Sequence, residues 1–332
     1  MAIVPSVRRR SAVAVLWNVG VAAAYFAGAE LGLLDQLLRG HLTPFWPSTG
    51  IALAALLLLG WRVAPGIAAG AFIALVFDGM AIYEAVPIAI GDMLAPMLAC
   101  YLLHRVDFHP NLDRLRDGLA LVFLGAFAAM TVSATVGTSV LVLSGDALAH
   151  TSENPWLLWW MGNATGVLVV TPLLLLLHKP HRPGSFRLAR VAEIAALLAG
   201  TLLVAGLGSH TRFEVLFLVF PFLFWAAWRF QLAGSAPCVL IASVVVTLAA
   251  EGRTGTFAEG RLFTELVTLQ AFNASAALTG LLLAAVIAER NHTYREVERA
   301  VIHLSDVMSL RDRAGRHVES WRAPSREDEA RR

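Results

Sequence analysis

Residues 118–144 read GLALVFLGAFAAMTVSATVGTSVLVLS and contain no charged side chain. At 1.5 Å per residue, a helix of this length exceeds the roughly 30 Å hydrocarbon thickness of a bilayer. The lipid interior offers no partner for backbone N–H and C=O groups, so only helices and closed barrels cross it. Because the segment lacks the alternating pattern of a barrel strand, it predicts a transmembrane helix.

The rest of the chain has the same character. Of its 332 residues 57% are apolar and 15% are charged, and the mean hydropathy is +0.66. A soluble domain normally carries about 25% charged residues. The clustered charges predict an all-α, polytopic transmembrane helical bundle of eight to ten membrane helices. The predicted spans are residues 11–34, 46–61, 63–77, 82–103, 118–144, 156–178, 191–208, 214–228, 232–250 and 265–288.

Two of these segments, 46–61 and 63–77, are only about 15 residues long, which is short for a full crossing. The sequence leaves two interpretations open: two short helices, or one re-entrant hairpin that enters and leaves on the same side. Both interpretations leave the orientation of the other spans unchanged.

Basic residues predict the orientation. If residues 1–10 lie inside and the spans alternate, twelve Lys and Arg residues before the tail fall on the cytoplasmic side and four fall outside. This is the positive-inside asymmetry. We therefore expect a bacterial inner-membrane protein with a cytoplasmic N-terminal segment 1–10, a membrane domain 11–288 and a cytoplasmic tail 289–332.

The tail is rich in Arg and Glu and is predicted to be helical to about residue 320. Val297, Val301, Leu304 and Met308 follow the 4-3-4 spacing of a two-heptad apolar seam. Two interpretations remain open: an amphipathic segment lying against the membrane or another subunit, or a parallel dimer helix that passes a signal on.

A short segment at the predicted outer start of a span, residues 45–50, reads FWPSTG. Trp46 suits the membrane interface, and Ser48 or Thr49 is expected to cap the N–H groups of the following helix. Such a helix N-terminus could also hold an anion. A capped helix start explains the same pattern. The candidate ligand-binding residues here are Trp46, Pro47, Ser48 and Gly50.

A second segment, residues 159–166, reads WWMGNATG. Gly162 and Gly166 form a GxxxG motif, which lets another helix approach closely. The buried amide of Asn163 needs polar partners, and Pro172 is expected to kink the helix. The candidate ligand-binding residues here are Trp160, Gly162, Asn163 and Gly166.

Asp92 is the most informative single residue, because it lies near the middle of a predicted span. An ionisable group there costs at least about 2.5 kcal/mol on insertion scales and is a functional-site candidate by default. It is expected to be protonated, paired with Asn163, or facing a hydrated cavity. Glu193 is interpreted as an ion pair beside Arg190 near a helix end.

Motifs for catalysis and metal binding are absent from the sequence: it contains no GxSxG, HExxH or CxxC. Cys100 and Cys238 fall inside apolar stretches and are interpreted as packing residues. We therefore expect no enzymatic activity, no cofactor and no nucleic-acid partner.

The two polar segments also resemble a known family. Residues 46–54, WPSTGIALA, resemble the WPxxGxALA signature of the MASE1 domain, and residues 160–168, WMGNATGVL, resemble its second signature. Together with Gly91-Asp92 between them, the resemblance covers most of residues 11–290. It implies a bacterial membrane-integral sensory domain, usually placed before histidine kinase, diguanylate cyclase or phosphodiesterase modules.

The chain departs from the family pattern at two pairs of residues. Members tend to carry Gly-Asn where this chain has Gly91-Asp92, and Gly-Asp where it has Gly162-Asn163. If the two side chains meet in the bundle, the exchange keeps one carboxylate and one amide in the same polar site.

The tail is about 44 residues long, and a kinase or cyclase domain needs on the order of 100 to 200 residues. The leading expectation is therefore a sensory module without its own output domain, which relays an unknown stimulus through its C-terminal helix. Its partner would be a histidine kinase or cyclic-di-GMP enzyme in trans, with a homodimer as one arrangement. The alternative is a small-molecule transporter or permease with Asp92 as a proton or cation site.

Overall fold

The computed structural model describes residues 7–33, 45–145, 154–178, 188–210, 215–251 and 262–322. Every long regular element in these ranges is helical, so the predicted all-α class is confirmed. The helices are α1 (Val7–Leu33), α2 (Pro47–Leu59), α3 (Ala64–Phe77), α4 (Ile82–Arg105), α5 (Leu115–Ala120), α6 (Ala129–Ser144), α7 (Pro155–His178), α8 (Leu188–His210), α9 (Val219–Phe230), α10 (Leu232–Glu251) and α11 (Leu262–Arg322).

Seven helical segments of the described chain are long and apolar enough to cross a membrane. The helices α1, α4, α7, α8, α10 and α11 supply one each, and the seventh is the continuous segment Leu115–Ser144. Three further apolar helical segments are shorter: Pro47–Leu59, Trp61–Phe77 and Leu216–Phe230. In the described chain, seven candidate spans and three shorter apolar segments thus correspond to the ten predicted segments.

The span Leu115–Ser144 contains a π-helical segment, Leu121–Ala128, between α5 and α6. Such segments are rare and appear mostly as single turns inside α-helices, often at functional sites. One carbonyl of this segment, that of Phe127, accepts a hydrogen bond from Nε1 of Trp160 at 2.8 Å. The side chain of Trp160 therefore joins α7 to the π-helical segment by a hydrogen bond.

The short helices α2 and α3 form a hairpin against α1. Gly28 of α1 lies against Ser48 at the start of α2, and Gly66 and Gly70 of α3 lie against Asn18 and Ala22. Hence α2 runs antiparallel to α1, whereas α3 runs parallel to it. They are 13 and 14 residues long, about 20 Å each at the helical rise.

The turn of this hairpin is held by one side chain of α1. Nδ2 of Asn18 donates to the carbonyl of Arg62 at 3.0 Å, and its Oδ1 accepts from the N–H of Gly66 at 2.7 Å. Asn18 thus supplies both partners that a tight turn inside an apolar region needs. Residues 47–77 thus form the two short helices α2 and α3, joined by the 3₁₀ turn Trp61–Val63. Two short spans and a re-entrant hairpin both have this backbone, so the choice between them stays a prediction.

An ion pair joins α8 and α9. Nε of Arg229 donates to both carboxylate oxygens of Glu193, at 2.8 and 3.1 Å. The expected pairing of Glu193 near Arg190 is therefore wrong, because the end of α9 brings a nearer cation from a different helix.

The chain forms two compact units, Met1–Ile287 and Ala288–Arg332. The helical bundle belongs to the first unit. In the second, the side chains of Val297, Val301, Leu304 and Met308 are all more than half exposed.

Candidate functional site

The carboxylate of Asp92 lies inside the bundle and is 6% exposed. Its Oδ1 accepts a hydrogen bond from Oγ of Ser133 on α6 at 2.5 Å, and its Oδ2 accepts one from the hydroxyl of Tyr25 on α1 at 3.2 Å. Among the described residues no Lys or Arg side chain bonds to it. Two neutral hydroxyl donors from two other helices therefore hold this carboxyl group.

Ser133 links Asp92 to the second polar segment. Besides donating to Asp92, its oxygen accepts from Nε1 of Trp159 at 3.0 Å and from Nδ2 of Asn163 at 3.4 Å. A hydroxyl has one hydrogen and two lone pairs, so Ser133 uses its full bonding capacity here. Asp92 and Asn163 thus belong to one polar site, with Ser133 standing between them.

Asn163 extends the network to α2. Its Oδ1 accepts a hydrogen bond from Oγ1 of Thr49, and its Nδ2 also donates to the carbonyl of Trp159 at 3.1 Å. The resulting set of side chains comes from five helices, α1, α2, α4, α6 and α7, and we call it the Asp92 cluster. Its members are Tyr25, Thr49, Asp92, Ser133, Trp159 and Asn163.

The depth of the cluster follows from the helix bounds. Tyr25 lies eight residues before the end of α1, and Ser133 lies eleven before the end of α6; Asp92 and Asn163 lie ten and eight after the starts of α4 and α7. At the helical rise these offsets are roughly 12 to 17 Å. If the ends of these four helices mark the membrane surfaces, these four residues lie near the middle of a hydrocarbon layer roughly 30 Å thick.

The start of α2 is also buried, and this overturns the capping prediction. The N-cap residue is Trp46, and no side chain caps the helix. Instead, Oγ of Ser48 donates to the carbonyl of Tyr25 at 2.7 Å, while Thr49 donates to Asn163. The prediction was wrong because α2 begins against α1 and α7, where the hydroxyls meet acceptors on neighbouring helices. Pro47, at the first position of α2, is buried with them.

The two signature segments pack directly on each other. The N–H of Trp46 donates to the carbonyl of Gly162 at 3.2 Å, and Oγ1 of Thr171 donates to the carbonyl of Gly50 at 3.0 Å. A Cβ atom on Gly50 would overlap the carbonyl of Gly166, and one on Gly166 would overlap the carbonyl of Trp46. The helices α2 and α7 therefore run parallel at a spacing that requires glycine at both positions.

Trp160 is placed differently from the other candidates. Its indole nitrogen bonds the π-helical segment, as described above, and its ring stacks on Trp156 with centroids 6.1 Å apart and planes 9° from parallel. The side chains of four candidates all bond to other groups of the protein: Ser48, Asp92, Trp160 and Asn163.

Four members of the Asp92 cluster were not predicted as site residues: Thr49 was interpreted only as a helix cap, and the other three were missed. Tyr25, Ser133 and Trp159 carry no charge, and such residues are unremarkable in an apolar span. No sequence signal singles out Ser133, because the span 118–144 also contains Thr131, Thr135, Thr138 and Ser139.

A second buried bond joins α7 to the last helix. Oγ1 of Thr165 donates to Oε1 of Gln270 on α11 at 2.7 Å, and the two residues are 3% and 1% exposed. Thr165 follows Asn163 by two residues, and successive helical residues differ by about 100°. The two side chains therefore project from nearly opposite sides of α7, one to the Asp92 cluster and one to α11.

No curated protein and no solved structure matches the chain. The family model of MASE1 matches residues 17–291, which include both signature segments and every member of the Asp92 cluster. With this match and its helical bundle of apolar spans, the chain belongs to the MASE1 family of membrane-integral sensory domains.

Proposed function

We propose that this multi-pass membrane protein senses a stimulus through the Asp92 cluster and relays it along α7 to α11 and the C-terminal tail. The observation that carries the proposal is the buried Thr165–Gln270 hydrogen bond, two residues from Asn163. It gives α7 one polar contact with the cluster and another with the helix that extends to Arg322.

The physical basis is that α7 is a packed helix with polar contacts on two sides. Packed interfaces change between discrete arrangements more readily than they deform. A stimulus that breaks or redirects a bond of Asn163 would shift or rotate α7. The shift would then reach Gln270, because losing a buried hydrogen bond costs about 1–3 kcal/mol and favours movement of the two helices together.

The orientation of the protein is part of this proposal. The charge asymmetry supports a bacterial inner-membrane location with both termini in the cytoplasm. The tail would then present its exposed seam, Val297, Val301, Leu304 and Met308, to the cytoplasm. Two copies held in one membrane have a high effective concentration for each other, so even a two-heptad seam supports a parallel homodimer.

The output of the tail would be read by a signalling enzyme. The family resemblance implies a histidine kinase or a cyclic-di-GMP enzyme, and we propose an effector of that kind. The exposed apolar seam with charged flanks is a surface on which a partner helix would pack.

The relay is tested by disulfide cross-linking of the tail in native membranes. A Val301→Cys reporter is compared in three backgrounds: otherwise wild type, Asp92→Asn, and Asp92→Asn combined with Thr165→Val. We expect Asp92→Asn to change the cross-linking rate several-fold and Thr165→Val to abolish that change. Persistence of the full effect in the combined background would contradict a relay through Thr165.

Two controls accompany this measurement. Thr201→Val removes a buried hydroxyl outside the Asp92 cluster, which donates to the carbonyl of Leu197 at 2.8 Å and also bonds to Cys238 on α10, and it should leave the effect of Asp92→Asn intact. An Arg299→Cys reporter lies off the seam and should cross-link slowly in every background.

The transporter alternative has weaker support, because both oxygens of Asp92 already accept hydrogen bonds from Ser133 and Tyr25. Reconstituted proteoliposomes with an internal pH-sensitive dye separate the two functions. Proton movement driven by a solute gradient, and lost in Asp92→Asn, would defeat the sensor-only function.

A further inference from the structure

A small cavity of about 10 Å³ lies inside the bundle between α7, α10 and α11. This is about the smallest volume that holds one water molecule. Its wall is mostly apolar. The residues used below are Leu168 and Pro172 of α7, Ser235 of α10, and Leu281 of α11.

The hydroxyl of Ser235 provides one polar group in this wall. The residue is 0% exposed, and its Oγ has no hydrogen-bond partner in the structure. A buried hydroxyl without a partner destabilises the fold, because it has lost its hydrogen bonds to water. Bulk water is not at hand inside a bilayer to relieve this cost.

The backbone of α7 provides a second polar group. Proline has no N–H, so Pro172 cannot donate to the carbonyl four residues earlier, which belongs to Leu168. Leu168 lines the same cavity. In transmembrane helices, ordered waters are among the groups that satisfy carbonyls freed in this way.

We infer that this cavity is a binding site for one ordered water molecule. The water donates one hydrogen bond to the carbonyl of Leu168 and shares a second with Oγ of Ser235. Two polar partners meet the minimum for a buried water. The water thus links the backbone of α7 to α10 at a place where the described structure has no direct side-chain bond between them. This inference does not depend on the proposed function.

The test is radiolytic hydroxyl-radical labelling of the full chain in lipid nanodiscs, read by mass spectrometry. A bound water forms radicals in place and labels side chains that bulk solvent does not reach. Leu168 and Leu281 are 2% and 3% exposed, and Leu53 and Leu103 are 0% exposed and do not line the cavity. We expect the first pair to label several-fold faster than the second. Equal rates would mean a dry cavity and would overturn the inference.

A matched pair of variants identifies what holds the water. Ser235→Ala removes one partner and should lower labelling at Leu168 and Leu281 several-fold. Ser243→Ala makes the same change two turns along α10, at another fully buried serine without a partner, and should leave labelling unchanged. If folded Ser235→Ala protein labels like wild type, the assignment to Ser235 is overturned.

Pro172→Ala provides a second route to the same answer. It restores the N–H that can bond the carbonyl of Leu168, so the water loses that partner and labelling should fall. If Ser235→Ala does not fold, Pro172→Ala alone tests whether a bound water causes the labelling. Unchanged labelling in Pro172→Ala would overturn the proposed role of the Leu168 carbonyl.

Discussion

At the scale of single residues, the hydroxyl of Ser133 determines which groups of the Asp92 cluster donate hydrogen bonds and which accept them. Its one hydrogen goes to Asp92, and its oxygen accepts from Trp159 and Asn163. A hydroxyl can rotate and reverse these roles. The cluster would therefore also be satisfied with the amide at position 92 and the carboxylate at position 163, which is the arrangement that the family pattern implies.

This property predicts the outcome of exchanging the two residues. Asp92→Asn alone leaves two amides around Ser133 and should lower the free energy of unfolding by about 1–3 kcal/mol, because one hydroxyl or amide hydrogen then lacks an acceptor. Asp92→Asn combined with Asn163→Asp should recover most of the loss, since Ser133 then donates to position 163. Thermal unfolding in nanodiscs measures both variants.

Additive losses of stability would contradict the bridging role of Ser133 between Asp92 and Asn163. If the combined variant loses as much stability as the two single variants summed, the side chains do not interact through Ser133. Adding Ser133→Ala to the exchange provides a control, because without the bridging hydroxyl the recovery should disappear.

Sequence reasoning identified Asp92 and Asn163 because a carboxylate and an amide are expensive in an apolar span. It proposed that they meet, and the structure brings them into one network. It did not identify Tyr25 and Ser133, because hydroxyl residues are common in membrane helices and only the three-dimensional packing shows which of them meet the carboxylate. The candidate role in ligand binding stays a prediction.

At the scale of helices, the parallel contact between α2 and α7 depends on Gly50 and Gly166. Each faces backbone atoms of the other signature segment, which cannot move as the end of a side chain can. A spacing this close lets the Trp46–Gly162 and Thr171–Gly50 hydrogen bonds form across the helices. Removing the close approach would therefore remove these polar bonds together with the packing.

Gly166→Ala should accordingly destabilise the protein by about 1–3 kcal/mol or more, because overpacking against backbone forces the helices apart. Gly206→Ala is the matched control, since Gly206 also lies within a helix but a Cβ atom added to it would meet no heavy atom within 4 Å. It should raise stability by up to about 1 kcal/mol through helix propensity. Thermal unfolding of both variants checks the pair, and a neutral Gly166→Ala would contradict the described contact.

The positions of the helices were largely predictable, because long apolar runs have few alternatives in a bilayer. Their local details were not. The buried start of α2 made the capping prediction wrong, and the ion pair of Glu193 formed with Arg229 because the fold brings the end of α9 beside α8. The π-helical segment Leu121–Ala128 has no sequence signature that the apolar pattern would show.

At the scale of the whole bundle, the helix directions agree with alternation across a membrane. Relative to α1, the helix α2 runs antiparallel and α3 runs parallel. The helix α7 runs parallel to α2. The contact of Gly91 with Val136 and that of Gly125 with Leu103 make the segment Leu115–Ser144 antiparallel to α4. These contacts fix relative directions, and the distribution of basic residues predicts which side is the cytoplasm.

The absolute orientation is tested with reporter fusions in a bacterial inner membrane. A fluorescent protein fused after residue 288 should fold and fluoresce, and alkaline phosphatase fused within 146–153 should be active. The two reporters exchanged between these sites serve as controls and should both be silent. The reverse pattern would contradict the predicted cytoplasmic tail.

The hairpin of α2 and α3 has a consequence for how the protein is made. Each arm is about 20 Å long, shorter than the hydrocarbon layer, and its turn relies on Asn18 of α1 for hydrogen bonds. Chains emerge from the ribosome with the N-terminal part first, so α1 is already in place when the hairpin leaves the tunnel. Because α1 precedes α2 and α3 in the sequence, Asn18 is available to bond the turn as soon as the two short helices form.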